Sequence, residues 1–387
     1  MGAPQARLSE LAQGLIRHGY RVTVLTAMPN YPQGRIIPGY KGFFKQEEVA
    51  GVHVLRAFIY PTKKASFLPR LLSYFSFVFS SLIVGLFHLG SVDYLLTESP
   101  PLFLGISGYL LSRLKRARWI FNVSDLWPES AVHLGVVREG LALRMSYWLE
   151  SFFYRHAWLV TGQSRTIIKN IQDRFSKVST YHLSNGVDPE KFKPNHTAFK
   201  PPAEWLGKTV FIYAGLHGIA QGLDQIISAA SSVSHLENCL FVLVGDGPEK
   251  EKLIKQANDA GLKNIQFITP LPKEQIILML AAADVSLVPL KLNLPGAVPS
   301  KLYEGMASQK PIILVAEGEA AEIVRNSNSG IVVNPGDINA LVNGILLFYE
   351  RGDLRKRMGE NGRKFVEKNY NRLLIINKFV ERISSVS

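Results

Sequence analysis

Cysteine is almost missing from this sequence: among 387 residues, Cys239 is the only one. A disulfide within the chain is therefore impossible, which favours a reducing compartment. Cys239 opens an apolar run that ends at Val244, so we expect a buried and inert thiol there. Low-complexity tracts and internal repeats are absent as well, and a chain of this length with 47% hydrophobic residues predicts two folded domains.

Signatures of several chemistries are also lacking. The sequence contains no P-loop, no G-x-G-x-x-G turn, no zinc-finger spacing and no DxD-like metal motif. The first two absences remove motif support for ATP and NAD, and the third argues against nucleic acid as a partner. We therefore expect neither a metal ion nor a bound cofactor.

Acidic residues are the scarcer charge, and the net charge is +13. The excess is uneven: residues 1–190 carry 21 Lys and Arg against 12 Asp and Glu, whereas residues 191–387 carry 23 against 19. A basic N-terminal half predicts an anionic partner, either a phosphate compound or an acidic membrane surface.

Strand-like and helix-like segments alternate along the chain, which predicts α/β domains built on parallel sheets. We place a Rossmann-like domain at residues 1–190, a linker at 191–208 and a second Rossmann-like domain at 209–370. Residues 371–387 form a helix that could cross back to the first domain. The chain opens with an amphipathic helix in place of the usual strand, so the predicted N-terminal sheet lacks its first strand, and no signal peptide is visible.

Residues 71–92 contain no charged side chain, and a stretch of this length could cross a bilayer of about 30 Å. Serines, Gly85 and His88 within it weaken that interpretation. We favour a helix that is buried in the N-terminal domain with one face in a membrane interface. A plain core helix and a true transmembrane span are the two alternatives.

Three loops of the second domain carry the candidate binding residues, because ligands of open parallel sheets bind where strands end and helices begin. Unpaired N–H groups and a partial positive charge at helix starts suit a phosphate. The first loop, 215–222, contributes Gly215, His217 and Gln221, and its glycines permit close approach of an anion. An ordinary turn between strand and helix is the alternative.

The second loop contributes Gly245, Asp246 and Gly247. Pro248 follows, at a position that we expect to lie in the first turn of a helix. Asp246 either contacts the ligand or caps this helix.

The third loop leads into a helix that contains Ser300, Lys301 and Glu304. Ser300 is a suitable N-cap, whereas a cation is unfavourable in a first helical turn unless an anion lies beside it. Lys301 is therefore our best diphosphate ligand, and Glu304, one turn later, could accept both ribose hydroxyls of a nucleotide. The alternative is a plain surface pair between the lysine and the glutamate.

Several short motifs resemble those of one enzyme family. In the C-terminal half they are 184–188 with Phe192, 244–248, and 301–307 leading to Lys310 and Pro311. In the N-terminal half they are 2–15, 28–32, 97–101 and 125–130. Together they resemble the family-4 retaining glycosyltransferases of the GT-B fold. The N-terminal motifs look like the WbuB/WcaI-like branch, which builds bacterial exopolysaccharide and O-antigen.

The resemblance implies an α/β fold with two Rossmann-like domains that face each other across a cleft. It implies transfer of a hexosyl or N-acetylaminosugar group, with retention, from a nucleoside-diphosphate sugar to a polyprenyl-diphosphate-linked acceptor. Uridine is the implied base of the donor. The implied location is the cytoplasm, peripheral on the inner face of the cytoplasmic membrane.

Asp125 and Lys301 are the candidate catalytic residues. Asp125 follows a predicted strand, and in the implied fold it faces the cleft, where it could orient the acceptor or the sugar. Its alternative role is to cap the turn at 126–130. Glu129 and His133 are weaker candidates for the same site.

Two departures from the family pattern concern the donor site. The family's pair of glutamates, eight positions apart, is represented by Glu304 alone, because Gly296 takes the place of the first. The usual Arg and Lys of the first phosphate loop are replaced by Leu216 and Gln221. Lys301 could supply the missing charge.

Two other functions stay open at this point. Sugar-nucleotide 2-epimerases have a similar two-domain architecture, but they need no apolar segment such as residues 68–92. A non-catalytic, membrane-associated partner subunit would fit the substituted donor site.

Overall fold

The computed structural model divides the chain into two compact units. The C-terminal unit runs from Asn185 to Ile375, and the N-terminal unit combines the residues up to Ser184 with those from Ile376 onward. Three features named above lie outside the described residues: Tyr31 and Pro32, part of the predicted linker, and the side chain of His133. The described residues are 3–30, 34–62, 67–133, 139–194, 201–291 and 295–385, without the side chains of 3–6, 67, 131 and 133.

The N-terminal unit contains two separate sheets where the sequence predicted one. In the first sheet, β1 (Thr23–Ala27) pairs in parallel with β3 (Val52–Ala57), which pairs antiparallel with β2 (Phe44–Val49). Sequence analysis did not identify β2, because its many charged residues hide the strand pattern. The second sheet is parallel, and its strands in spatial order are β4 (Tyr94–Ser99), β5 (Arg118–Val123), β6 (Leu159–Gly162) and β7 (Thr180–His182).

Helices surround both sheets of this unit. The Ser164 hydroxyl accepts a hydrogen bond of 3.2 Å from the Ile167 N–H, which confirms Ser164 as the N-cap of its helix. The C-terminal helix of the chain also packs here from Ile376 onward, where the Tyr94 hydroxyl donates a 2.8 Å hydrogen bond to the Ile383 carbonyl. The helices that precede it in this unit are α1 (Ala3–Arg17), α2 (Phe67–His88), α3 (Leu104–Leu114), α4 (Glu129–His133), α5 (Leu141–His156) and α6 (Arg165–Arg174), the helix that Ser164 caps.

Helix α2 is buried on one side only. Val78 and Ser81 are buried where the helix packs against α3 and β3. Leu68, Phe79 and Phe87 are 64%, 64% and 75% exposed on the other side. By length and composition, the segment Leu68–His88 could cross a membrane, yet 28% of its most apolar window is buried inside the protein. A plain core helix does not describe it, because large apolar side chains remain in contact with solvent.

The C-terminal unit is built on one six-stranded parallel sheet. Neighbouring side chains of its first strand point to opposite faces: Val210 and Ile212 enter one core, and Phe211 and Tyr213 enter the other. Both faces are therefore covered, as in other parallel sheets. The strands in spatial order are β10 (Ile265–Ile268), β9 (Cys239–Val244), β8 (Thr209–Ala214), β11 (Val285–Pro289), β12 (Ile312–Val315) and β13 (Gly330–Val333).

This strand order reverses direction between β8 and β11. In doubly wound sheets such a reversal opens a crevice beyond the strands' carboxyl ends, and ligands bind there. The loops that leave β8, β9 and β11 carry the candidate residues of this unit. The helices are α7 (Asp224–Ser232), α8 (Lys250–Asp259), α9 (Lys273–Ala282), α10 (Ser300–Ala307), α11 (Gly318–Ser327), α12 (Ile338–Glu350) and α13 (Gly352–Asn369). Helix α14 (Arg372–Ser384) begins in this unit, and its residues from Ile376 onward belong to the N-terminal unit.

The motif at 184–188 anchors the start of this unit to the start of α14. The Arg372 guanidinium donates to the Asn185 carbonyl at 2.9 Å and to the Gly186 carbonyl at 2.6 Å. Gly186 has a φ of +54°, and a Cβ there would lie 2.6 Å from the Tyr370 carbonyl oxygen. Glycine is required at this position by backbone conformation and by close approach together.

Cys239 lies at the start of β9 and is 1% exposed, which confirms the predicted burial. Burial raises the pKa of its thiol to about 12. The side chain belongs to the core on the α7, α8 and α12 side of the sheet. It acts there as a small apolar group.

A buried ion pair in the N-terminal unit gives a stability prediction. The Arg174 guanidinium on α6 pairs with Glu150 on α5, whose side chain is 1% exposed. Burial raises the pKa of Glu150, and Arg174 opposes that effect. Arg174→Met leaves the carboxylate buried without a cation, with the Tyr154 hydroxyl as a remaining hydrogen-bond partner. We therefore expect a loss of about 3 kcal/mol in the free energy of unfolding.

Urea unfolding followed by tryptophan fluorescence measures this loss, because four of the five tryptophans lie in the N-terminal unit. The control is Arg351→Met, which removes an exposed pair with Asp353 and should leave the free energy of unfolding nearly unchanged. Equal effects of the two substitutions would contradict the burial argument.

Candidate functional site

The loops that follow β8 and β9 pack backbone to backbone. The His217 N–H donates to the Asp246 carbonyl at 2.8 Å, and the Glu249 N–H donates to the His217 carbonyl at 3.0 Å. A Cβ on Gly245 would lie 1.8 Å from the Gly215 carbonyl oxygen, and one on Gly247 would lie 2.3 Å from the His217 carbonyl oxygen. No side chain fits at either glycine, so the two turns can meet only because both positions lack a Cβ.

Lys301, at the start of α10, reaches the first of these loops. A Cβ on Gly215 would lie 2.0 Å from Lys301 Cε and 2.5 Å from its Nζ, so the lysine side chain lies over the Gly215 Cα. The ammonium is also 5.5 Å from the centre of the Tyr213 ring. The structure thus brings Gly215 and Lys301 together at the point where the strand order reverses.

The Lys301 ammonium makes no hydrogen bond or ion pair within the described ranges. Burial lowers its pKa, the negative charge of Glu304 opposes this effect, and the positive charge of Lys273 adds to it. An unpaired, partly buried cation is costly, and a bound anion would remove that cost. Lys301 is therefore suited to an anionic ligand.

His217 is part of the same loop, and its side chain is fully buried. Neither ring nitrogen has a hydrogen-bond partner among the residues that the structure describes. Burial lowers the pKa of His217 to about 4, and the positive charge of Lys250 contributes to the lowering. The imidazole is therefore neutral near pH 7, and it adds no charge to the loop.

The second loop differs from its sequence-based interpretation in two details. The Asp246 carboxylate accepts a hydrogen bond of 2.9 Å from the adjacent Gly247 N–H, so it closes its own turn and does not cap α8. Pro248 was expected in the first helical turn, but Glu249 is the N-cap residue and Pro248 precedes it. Lys250, which sequence analysis missed, donates to the Gly245 carbonyl at 2.7 Å and brings a second cation to this loop.

Ser300 was predicted as the N-cap of α10, and this prediction is wrong. Pro299 occupies the N-cap position with an extended backbone, and no side chain caps the helix. Ser300 is already the first helical residue, so its hydroxyl does not face the free N–H groups of the turn. The Leu302 N–H donates to the Pro299 carbonyl at 3.0 Å, whereas the N–H groups of Ser300 and Lys301 have no such bond among the described residues and stay available for a ligand.

Glu304, one turn after Lys301, pairs with a different lysine. Its Oε1 atom is 2.5 Å from Lys273 Nζ at the start of α9. The alternative of a simple pair between Lys301 and Glu304 is therefore wrong. Sequence analysis missed Lys273, because 31 residues separate it from Glu304.

Gly296 and Gln221 occupy positions where the family pattern has charged residues. Gly296 is buried and has a φ of +77°, a backbone conformation that favours glycine. The Gln221 Oε1 atom is buried and has no hydrogen-bond partner within the described part of the chain. Neither residue supplies charge, whereas Lys301 and Lys250 each bring a positive charge to one of the first two loops.

A shallow cavity of about 210 Å³ lies on the other side of the first loop. Gly218, Gly222, Asp224 and Lys291 are among its lining residues, and Lys291 pairs with Asp224 at 2.8 Å. Lys301 and Glu304 do not line it. Lys252, the other lysine among the lining residues, pairs with Glu249 at 3.3 Å, so both cations are neutralised. We therefore assign the candidate site to Lys301 and not to the cavity.

The N-terminal unit holds a separate polar cluster where β4, β5 and β6 end. The Glu98 carboxylate accepts hydrogen bonds from Arg7 at 2.5 Å, from Asn122 at 2.7 Å and from Ser124. The Thr161 hydroxyl donates to the Asn122 side-chain oxygen at 2.6 Å. Arg7 and Glu98 were noted in the sequence only as parts of family-like motifs, and their pairing across 91 positions could not be read from it.

Asp125 lies beside this cluster but outside its hydrogen bonds. Its carboxylate accepts no hydrogen bond from the described residues, so the helix-capping alternative is wrong. The pKa of Asp125 is raised to about 6, chiefly by burial. The charge of Glu98 contributes to this rise, and the charge of Arg7 opposes it. Glu129 begins α4 nearby in sequence, and the side chain of His133 lies outside the described residues.

Comparison with known proteins identifies the chain. The family model for glycosyl transferases group 1 matches residues 196–365, and that for the glycosyl transferase 4-like domain matches residues 2–183. The probable glycosyltransferase WbjE of Pseudomonas aeruginosa is 30% identical over 295 residues, which cover 74% of this chain and 73% of that protein.

The chain belongs to the family-4 glycosyltransferases.

A second relative of this glycosyltransferase is the putative colanic acid biosynthesis glycosyl transferase WcaI of Escherichia coli. It is 25% identical over an alignment of 400 residues, gaps included, which covers 97% of this chain and 94% of WcaI. Among solved structures, Anabaena Alr3699/HepE in complex with UDP-glucose matches with a TM-score of 0.66 and 19% identity, covering 87% of this chain and 86% of that one. The GT-B fold with two Rossmann-like domains is thereby confirmed, and the enzyme class is transferase.

Asp125 gives the glycosyltransferase a testable pH dependence. Because its pKa rises from 3.8 to about 6 on folding, the folded chain holds a proton that the unfolded chain releases between these values. Stability therefore falls as pH rises through this window. We expect Asp125→Asn to raise the melting temperature by about 2–4 °C at pH 7.5, and this gain should disappear towards pH 4.

Thermal unfolding of both proteins across pH 4–8 measures this difference. Asp173→Asn is the matched control, since Asp173 lies on the exposed side of α6. A gain for Asp125→Asn that is the same at every pH would show that burial does not set the protonation of Asp125.

Proposed function

We propose that this glycosyltransferase transfers a sugar, with retention, from a uridine-diphosphate sugar to a lipid-linked acceptor in bacterial surface polysaccharide synthesis. The relatives support this pathway, because WcaI is named for colanic acid biosynthesis. The matched HepE structure contains UDP-glucose, which supports the donor class. The epimerase alternative is not favoured, since the matched relatives are glycosyltransferases.

The observation that carries the proposal is the unpaired Lys301 ammonium over Gly215. A donor diphosphate placed there would contact the ammonium and the free N–H groups at the start of α10. These groups would stabilise the negative charge that develops as the glycosidic bond breaks. In this proposal they take the place of a metal ion, and no cofactor is required.

The other residues have separate roles in the proposal. Gly215, Gly245 and Gly247 let the backbone approach the diphosphate, and His217, Gln221, Asp246 and Ser300 shape the same loops. Glu304 binds the ribose through the oxygen that Lys273 leaves free. Asp125 orients the acceptor or the transferred sugar from the N-terminal unit.

Lys301→Ala tests the donor site. We expect the substitution to weaken UDP binding by about 10- to 100-fold, because it removes one charge-assisted contact. Transfer to a lipid-linked acceptor should fall at least as much, while the circular dichroism spectrum stays unchanged. Calorimetry measures the affinity, and the anomeric configuration of the product, determined by NMR, tests retention.

Lys255→Ala is the control for loss of charge, since Lys255 pairs with Asp259 on the exposed side of α8. If Lys301→Ala and Lys255→Ala behave alike in binding and turnover, Lys301 is not part of the donor site. If the wild-type chain converts free donor without an acceptor, the epimerase alternative returns.

We also propose that the N-terminal unit docks on an anionic membrane surface. Leu141, Met145 and Trp148 are 75%, 61% and 65% exposed along one side of α5, in addition to the exposed face of α2. Helix α3 packs against both helices and adds exposed Leu110 and Leu114. Apolar side chains on adjacent helices, in a unit with excess positive charge, fit the interface of a membrane with acidic lipids.

Vesicle co-sedimentation tests this docking surface. We expect binding to phosphatidylglycerol-containing vesicles, weaker binding to pure phosphatidylcholine, and a roughly tenfold loss or more for Phe79→Ser with Phe87→Ser, since each removes buried apolar area in the bound state. Leu141→Ser with Trp148→Ser should act alike. Leu206→Ser is the control, because Leu206 is 68% exposed in the C-terminal unit. Equal loss in the control would contradict the assigned surface.

A further inference from the structure

Lys273 and Lys301 stand in equivalent places at the starts of α9 and α10. Each lies in a first helical turn, where a positive charge is unfavourable without a nearby anion. For Lys273 that anion is Glu304, 2.5 Å away. For Lys301 the described residues provide no such anion. One carboxylate, that of Glu304, lies near both lysines, and it pairs with Lys273 alone.

Glu304 pairs with a lysine on another helix and not with Lys301, its neighbour on the same helix. Glu304 lies three positions after Lys301 on the same helix, and such pairs commonly interact. Instead, Glu304 turns to Lys273, and Lys301 extends over Gly215 towards Tyr213. Something must hold Glu304 away from its neighbour on the helix.

Lys273 is well placed to do so. Its ammonium lies 4.9 Å from the centre of the ring of Phe192, which is buried at 4% exposure. The lysine is thus fixed by a cation–π contact on one side and by the Glu304 carboxylate on the other. Only Oε1 of Glu304 is engaged by it, and Oε2 accepts no hydrogen bond from the described residues.

We propose that Lys273 is a positioning residue of the donor site, which holds Glu304 away from Lys301 and so keeps the Lys301 ammonium free for the donor diphosphate. This inference rests on the proposed function of Lys301. It predicts that loss of Lys273 harms phosphate binding indirectly, through capture of Lys301 by Glu304.

The decisive experiment compares Lys273→Met with the double variant Lys273→Met/Glu304→Gln. Inorganic pyrophosphate is the probe, because it reports the phosphate contacts without the ribose. We expect Lys273→Met to weaken pyrophosphate binding by about tenfold or more. The double variant should recover to within about twofold of wild type, and Lys273→Arg should stay close to wild type. Lys255→Met removes an exposed lysine from a similar pair and is the charge control.

A second measurement needs no ligand. The rate at which acetic anhydride acetylates Lys301, followed by mass spectrometry across pH, gives the pKa of that ammonium in each variant. We expect Lys273→Met to raise this pKa, because the positive charge of Lys273 is lost and Glu304 then pairs with Lys301, and the double variant to bring it back towards the wild-type value. Circular dichroism checks that each variant is folded.

The outcomes separate the possible failures. A double variant that binds pyrophosphate as weakly as Lys273→Met would show that Lys273 contacts the phosphate directly, and the positioning role would fall. An unchanged Lys301 pKa in Lys273→Met would overturn it as well. If wild type binds neither pyrophosphate nor UDP while the acetylation results agree with expectation, the proposed donor site is wrong, and what stands is only that Lys273 holds Glu304 away from Lys301.

Discussion

The candidate donor site depends on one backbone contact, the approach of Gly245 to the Gly215 carbonyl. Two turns that leave neighbouring parallel strands usually keep side chains between them. Here both turns lack those side chains, and the two backbones touch. The His217 side chain is buried next to this contact. Lys301 reaches Gly215 from the start of α10, the helix that follows β11. The site is therefore a close-packed pair of backbone turns with the Lys301 ammonium above it, which suits a ligand recognised mainly by its charge.

The distribution of charge around this platform follows a simple rule of pairing. Lys291 pairs with Asp224, Lys273 pairs with Glu304, and Lys250 satisfies a backbone carbonyl. Lys301 is the cation near the loops for which the described residues offer no such partner. The family pattern places charge on the first loop, whereas this chain has Leu216 and Gln221 there. The positive charge has moved from the loop after β8 to the helix after β11, and the reversal of strand order brings these two places together.

Much of this arrangement follows from the sequence. Apolar runs such as 239–244 predict buried parallel strands, and strand topology then places Gly215, Gly245 and Lys301 at one edge of a sheet. Details within single turns were harder to predict. Ser300 lost the N-cap position to Pro299, because a proline fixes the extended backbone that precedes a helix. Strand β2 was missed because Lys45, Glu47 and Glu48 replace the apolar alternation of a strand. Pairs such as Lys273 with Glu304 join distant segments, and no local pattern encodes them.

The position of Cys239 has a consequence for how the C-terminal unit can be observed. Its thiol is enclosed between sheet and helices, with a pKa near 12, so alkylating reagents cannot reach a reactive thiolate in the native state. Modification must wait for β9 to separate from its neighbours. Since the chain has no other cysteine, the alkylation rate counts openings of this one sheet. Cys239 therefore reports on local unfolding of β9, the strand that leads to Gly245.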